Sequence, residues 1–275
     1  MNKFKTVAVI AAALATGATF AGCAAANDDY DTKNQAGITE QIPNEIQQPE
    51  ENKGNEIPVV VPKALTVSYL NVTSDGVNIR SGAGTNYSSR GTAEKSTMYA
   101  LNDSLGGWYK TGYKNNSAYI SSKYCEVVEM KASDDKRVEA VIKEGTKLLG
   151  TTYVYGAVRY HDGNGHKLSG FNINSFDCSS LMQYIFYTGA NVNLQMNTRT
   201  QIYQGKTVKK SELKRGDLMF FTNASRKNLS GVERVGHVAL YLGDNWILHT
   251  ASDYAKIEQI STTRWSYFIQ GQRVI

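Results

Sequence analysis

The run Phe176-Asp177-Cys178-Ser179-Ser180-Leu181-Met182-Gln183-Tyr184-Ile185-Phe186-Tyr187-Thr188-Gly189 constrains this chain more than any other stretch. Asp177 can accept hydrogen bonds from the first free backbone N–H groups of a helix. Leu181, Met182, Tyr184, Ile185 and Phe186 give that helix an apolar body, and Gly189 is expected to end it. Cys178 then opens the helix, where peptide dipoles favour a thiolate and can bring a free-cysteine pKa of about 8.5 down toward roughly 3.5 to 7.5. An inert, buried thiol is the competing reading of a lone helical cysteine.

Two other patterns frame this helix. Before it, Ser133-Asp134-Asp135 caps a helical run with Val138, Val141, Ile142, Gly145, Leu148 and Leu149 on one face, ended by Gly150. Tyr153, in the Thr152–Ala157 segment that follows, faces either a cleft or a core. After it, Leu218-Met219-Phe220-Phe221 reads as an apolar strand, and Gly236 to Thr250 reads as a hairpin around Gly243-Asp244-Asn245. With a three-residue loop, Leu242 pairs with Trp246 and Ala239 with His249, so His237 and His249 are diagonal neighbours on one face. A two-residue Gly243-Asp244 loop would put them on opposite faces. A cysteine at a helix start, a histidine at a strand start and a second ring beside it supply a nucleophile, a base and a group that orients the base.

The rest of the chain is read from charge. The 275 residues carry a net +5, but residues 1–23 hold +2 and residues 24–62 hold eight acids against two bases, −6, leaving +9 from residue 63 onward. A basic folded part suits nucleic acid, anionic lipid or an anionic polymer such as a cell wall. Its bases are scattered among tyrosines without a nucleic-acid motif, which favours the polymer and gives no nucleic-acid partner. Residues 24–62 also hold the prolines and show no sustained apolar period, so they are expected to be a disordered acidic tether.

Lys3 and Lys5 precede an uncharged, small and apolar run from Val7 to Phe20 that ends at Ala21-Gly22-Cys23. It is short of the roughly 20 apolar residues of a membrane span and reads as a removable export signal. Small residues before Cys23 resemble the lipobox of bacterial lipoproteins. That resemblance implies lipidation of Cys23 and a protein anchored to the outer face of the cell membrane, or periplasmic if the host has an outer membrane; ordinary secretion is the alternative. Cys23, Cys125 and Cys178 are too few and too odd in number for a disulfide framework, and Cys125 is expected to fill a core.

Between residues 63 and 130, short alternating runs separated by glycine turns suggest a small all-β barrel. Val77-Asn78-Ile79-Arg80-Ser81-Gly82-Ala83-Gly84-Thr85-Asn86-Tyr87 resembles the LNVRSGPSTxY signature of bacterial SH3 (SH3b) domains. Gly107-Trp108-Tyr109-Lys110 and Ser121-Ser122-Lys123-Tyr124 resemble that family's later strands. The resemblance implies binding of cell-wall peptides; Trp108, Tyr109 and Tyr119 alternatively build the barrel core, the expectation for Trp108.

Residues 131–275 resemble the NlpC/P60 family of cysteine peptidases, which implies a papain-like α+β domain. Tyr153-Val154-Tyr155-Gly156 matches YxWGG, Phe176-Asp177-Cys178-Ser179-Ser180-Leu181 matches FDCSGL, Leu213–Phe221 matches LxPGDLVFF, and Gly236–Gly243 matches GHVGIYLG. The resemblance implies Cys178 as nucleophile, His237 as general base and His249 as the orienting residue. Tyr153 would stabilise the oxyanion together with the Cys178 backbone N–H, and Asp177 and Ser179 would line the substrate pocket, where related enzymes hold a free amine. The implied reaction is hydrolysis of peptidoglycan stem peptides, most often between γ-D-glutamate and the diamino acid, by a monomer without a cofactor. An amidase acting between muramic acid and L-alanine, and a non-catalytic wall-binding scaffold, are the alternatives. Gly156-Ala157 replaces a double glycine, and residues 158–175 form a long loop in which His161, Asp162 and His166 read as a solvated turn more simply than as a metal site.

Overall fold

Alternating apolar residues from Thr66 to Lys131 fold as eight short strands in two antiparallel sheets. In one, Thr66–Val72 lies between Met98–Ala100 and Cys125–Lys131. In the other, the order is Ser89–Ala93, Val77–Arg80, Asn116–Ser121, Trp108–Tyr113 and Asp103–Leu105. Leu70, Ile79, Met98, Ile120 and Met130 are fully buried, as period-2 alternation requires of residues facing a shared interior. Trp108 departs from expectation: it is half-buried and lines a surface groove with Arg80, Lys123 and Tyr124, while Tyr109 and Cys125 pack against the core. The computed structural model describes residues 64–275; the stretches expected from sequence to be an export signal and an acidic tether, and Cys23, lie outside the described residues.

The remainder is α+β. Helix α1 spans Lys136–Lys147, with the Asp135 side chain accepting from the Arg137 N–H, and helix α2 spans Cys178–Ala190. An eight-stranded sheet runs in the order Ser175–Phe176, Thr152–Tyr153, Tyr254–Gln259, Trp246–Ala251, His237–Gly243, Leu218–Phe221, Phe268–Arg273 and Lys206–Val208. Helix α2 packs on the His237–Gly243 and Trp246–Ala251 strands and α1 packs on α2. Val141, Leu181, Phe186, Val238, Leu240 and Leu248 close the core on this face, and Met219, Phe221, Ala239 and Ile247 make a second cluster on the other.

Gly189 does not end α2. The helix continues to Ala190 and closes on Asn191 in the left-handed conformation (φ 54°). A Cβ on Gly189 would stand 2.6 Å from Val141 Cα, so this glycine marks the crossing of the two helices. Its signal was steric, where the sequence pattern reads as a stop.

The β-only part is tied to the carboxyl end of α1. Lys114 and Asn115 both take positive φ (49° and 57°), the geometry of a tight hairpin turn. Their N–H groups donate to Leu149 O (2.8 Å) and Lys147 O (2.7 Å), satisfying carbonyls that a helix end leaves free. Arg215 adds a second tie, donating to Tyr69 Oη (2.7 Å), to both carboxylate oxygens of Glu139 (2.7 and 2.9 Å) and to Leu242 O (2.7 Å).

Candidate active site

Asp177 sets the start of α2 with a reciprocal cap. Its Oδ1 accepts from the Ser180 N–H (2.8 Å), and Ser180 Oγ accepts from the Asp177 N–H (2.9 Å). Cys178 is thereby the first helical residue, with the sheet strand that begins at His237 beside it. Its thiol is buried rather than exposed, and its pKa is pushed up to about 11, opposite to the expected depression. Burial is the largest cause and the Asp177 charge adds to it. The Val238 and Ser179 backbone N–H groups and the Arg159 charge act the other way and are outweighed.

The histidines meet, by a route the loop length alone did not give. The hairpin turn is two residues, Asp244-Asn245, both at positive φ, and Gly243 pairs with Trp246. Continued without interruption, that register would put His237 and His249 on opposite faces. A bulge between Tyr241 and Gly243 restores the pairings Tyr241–Ile247 and Leu240–Leu248, and with them the shared face. His237 Nε2 lies 3.0 Å from His249 Nδ1.

A third strand extends the array beyond the two histidines. The Tyr254–Gln259 strand pairs Lys256 with His249, which sets Glu258 diagonally across on the same face. His249 Nε2 is 3.0 Å from Glu258 Oε1, and Arg264 Nη2 donates to the same oxygen at 2.9 Å. Burial raises the Glu258 pKa, but its hydrogen bond to His249 and its cationic neighbours outweigh that and hold it at about 2. His237 lies well below the usual imidazole range, through burial first and then the positive charges of His249 and Arg264; burial also lowers His249. At neutral pH the Arg264 and Lys256 cations are therefore the charges acting on Glu258.

Neutral imidazole carries one N–H, and an ionised carboxylate only accepts. His249 must then carry its proton on Nε2, donate it to Glu258, and accept at Nδ1 from the His237 Nε2–H. The unprotonated nitrogen of His237 is left as Nδ1, the base. A carboxylate two rings away fixes both tautomers.

Cys178, His237 and Tyr153 line one cleft of about 420 Å³, which Arg264 also borders. Tyr153 is held there by the pairing of its strand with Ser175–Phe176 and by its N–H donating to Asp253 O (2.8 Å). Burial, then the Cys178 and Asp177 charges, raise its phenol pKa, so the hydroxyl remains a donor. A second cleft of about 170 Å³ also borders Cys178 and is lined by Asp177, Ser179, Arg159, Arg199 and Arg226. No residue of the β-only part lines either one.

Arg159, in the long loop before α2, has no sequence signal that ties it to the site. It donates to Asp177 Oδ2 (2.7 Å), Ser179 Oγ (3.0 Å) and Met196 O (2.6 Å). In the same loop, His161 is buried and accepts the Gly163 N–H, and exposed His166 contacts Asp162 at 2.9 Å. Among the described residues no three metal-ligating side chains converge.

Residues 150–274 match the NlpC/P60 family. The chain is 30% identical over 115 residues to a probable endopeptidase NlpC homolog of Haemophilus influenzae, covering 41% of this chain and 57% of that protein. It is 28% identical over 142 residues to the peptidoglycan DL-endopeptidase CwlO of Bacillus licheniformis, covering 51% of this chain and 28% of that one. It is 30% identical over 129 residues to a gamma-D-glutamyl-L-lysine dipeptidyl-peptidase of Bacillus subtilis, covering 47% of this chain and 37% of that one. The chain thus spans less than two thirds of the length of each. An NLP/P60 family structure from Staphylococcus aureus is 28% identical, with a TM-score of 0.41 over 56% of this chain and 46% of that one.

Proposed function

With the match of residues 150–274 to the NlpC/P60 family as premise, we propose that this chain is a peptidoglycan hydrolase that cuts stem peptides at the γ-D-glutamyl–diamino acid bond. One observation carries the chemistry: Cys178 at the head of a helix shares a cleft with His237, whose Nε2 is held 3.0 Å from His249. The activities named for the relatives, a peptidoglycan DL-endopeptidase and a gamma-D-glutamyl-L-lysine dipeptidyl-peptidase, support the substrate class.

The reaction starts from a neutral thiol and a neutral imidazole. His237 Nδ1 takes the Cys178 proton as the sulfur attacks the scissile carbonyl, so the thiolate forms only as it is consumed. The Tyr153 hydroxyl and the Cys178 backbone N–H receive the developing oxyanion. The imidazolium, steadied through His249 by the Glu258 carboxylate, protonates the departing amine. Water, deprotonated by the same nitrogen, releases the acyl group and restores the thiol.

The β-only part is proposed to be an SH3b module that holds wall peptide in the Trp108–Tyr124 groove, away from the chemistry. Lipidation of Cys23 would anchor the exported protein at the membrane, with residues 24–62 as the tether. Masses of the fragments released from purified muropeptides test the bond: a new diamino-acid amino terminus is expected, and release of an intact stem beginning at L-alanine would point to the amidase instead.

A further inference from the structure

Asp177 is the single acid lining the two clefts that border Cys178, against Arg159, Arg199, Arg226 and Arg264. Among the residues that line these clefts, it is the one carboxylate an ammonium group entering beside the nucleophile could pair with. It has nothing left to give. Oδ1 accepts from the Ser180 N–H (2.8 Å) and Ser179 Oγ (3.1 Å), and Oδ2 accepts from the Gly156 N–H (3.2 Å) and Arg159 Nη1 (2.7 Å). A carboxylate offers about four lone-pair sites, and all four are used.

The neighbouring hydroxyl is engaged as well. Ser179 Oγ donates to Asp177 and accepts from Arg159 Nη2 (3.0 Å). The Arg159 side chain is 13% exposed and that of Asp177 7%, so this is a buried ion pair, and displacing the guanidinium would leave an uncompensated buried charge. Arg159 is further fixed by donating to Ala157 O and to Met196 O. Arg199 and Arg226, which line the same cleft, share the exposed Glu233 at 3.4 Å each, leaving the lining with more positive than negative charge.

We propose that Arg159, acting through Asp177 and Ser179, closes this cleft to a free amino terminus, so that the site selects stem peptides whose amino end is amide-linked over trimmed peptides ending in an ammonium group. The inference rests on the reading of this chain as a stem-peptide hydrolase. It makes Arg159 the specificity-setting residue: an amide nitrogen brings no charge to be neutralised, whereas an ammonium would enter a positively charged cleft without a partner.

The test uses the full chain and two synthetic L-Ala-γ-D-Glu-diamino acid peptides that differ only by acetylation of the amino terminus. Wild type is expected to cleave the acetylated peptide with a kcat/KM at least fivefold higher. Arg159→Met, which frees Asp177 Oδ2, should favour the free-amine peptide by tenfold or more, mainly through KM, and Arg159→Lys should keep the wild-type order. The ratio of two substrates on one enzyme is independent of how much of it is folded, so a loss of total activity does not blur the result. A tenfold wild-type preference for the free amine, or an unchanged ratio in Arg159→Met, overturns the proposal. Binding of the two peptides to Cys178→Ala gives a readout apart from chemistry. If wild type cuts neither peptide, the hydrolase reading fails, and tighter binding of the free amine to Cys178→Ala, or no binding of either peptide, overturns the specificity as well.

Discussion

His249 Nε2 stands 3.0 Å from Glu258 Oε1, and this contact decides which nitrogen of His237, one ring further on, carries a proton. Glu258→Ala frees His249 to flip its tautomer and is expected to lower kcat by roughly 10²-fold, the scale of a general-base contribution, with a smaller change in KM. Glu258→Gln can still present an acceptor oxygen and should retain more activity than the alanine variant. Steady-state kinetics of the two variants checks this, and equal losses would speak against a role in setting the tautomer.

Glu258 also links the site to acid stability. Its pKa is held at about 2 in the fold, below its ordinary value, so its contribution is present above pH 4.5 and is lost as pH falls toward 2. That contribution is at most about 3 kcal/mol. Urea unfolding as a function of pH should show a shallower loss between pH 5 and 3 in Glu258→Gln than in wild type.

Burial moves the reacting pair apart in the direction that keeps both neutral. The imidazole of His237 is lowered, so on raising the pH from acid it loses its proton early; the Cys178 thiol, pushed up to about 11, keeps its proton through neutrality. The ascending limb of kcat/KM is expected below pH 6.5, with no second rise near the ordinary thiol pKa of about 8.5. Thiolate absorbance of wild type minus Cys178→Ala should be absent at pH 7; its presence there would show a preformed ion pair.

Gly150 adopts φ +83°, and a Cβ there would meet the Tyr113 ring at 2.1 Å. Gly150→Ala is therefore expected to cost about 1–3 kcal/mol through overpacking and backbone strain, where the β-only part meets the end of α1. Chemical denaturation measures this, and a loss below 0.5 kcal/mol, roughly the scatter of surface substitutions, would show that the junction yields freely.

Local signals made much of the site legible. Asp177 caps α2 because a short side-chain acceptor before an apolar period does so in any context, and the alternation from His237 to Thr250 gives the two strands. What escaped depends on contacts distant in sequence. The bulge at Leu242 corrects the register of a turn shorter than expected, and no residue type marks it. Burial of Cys178 comes from the packing of α2 on the sheet, and it overrides the helix-end effect that the position alone implies. Glu258 becomes visible only once the Tyr254–Gln259 strand is paired, and Arg159 only once its loop folds back onto α2. Gly189 shows the same limit from the other side, since a close helix crossing and a helix stop both ask for glycine.

The most direct test of the thiol mechanism is the release of fragments from purified muropeptides by wild type and by Cys178→Ala at equal concentration. Wild type should release fragments with a new diamino-acid amino terminus while Cys178→Ala, folded to the same extent by circular dichroism, releases none. Equal release by both proteins would contradict the assignment of Cys178 as the nucleophile.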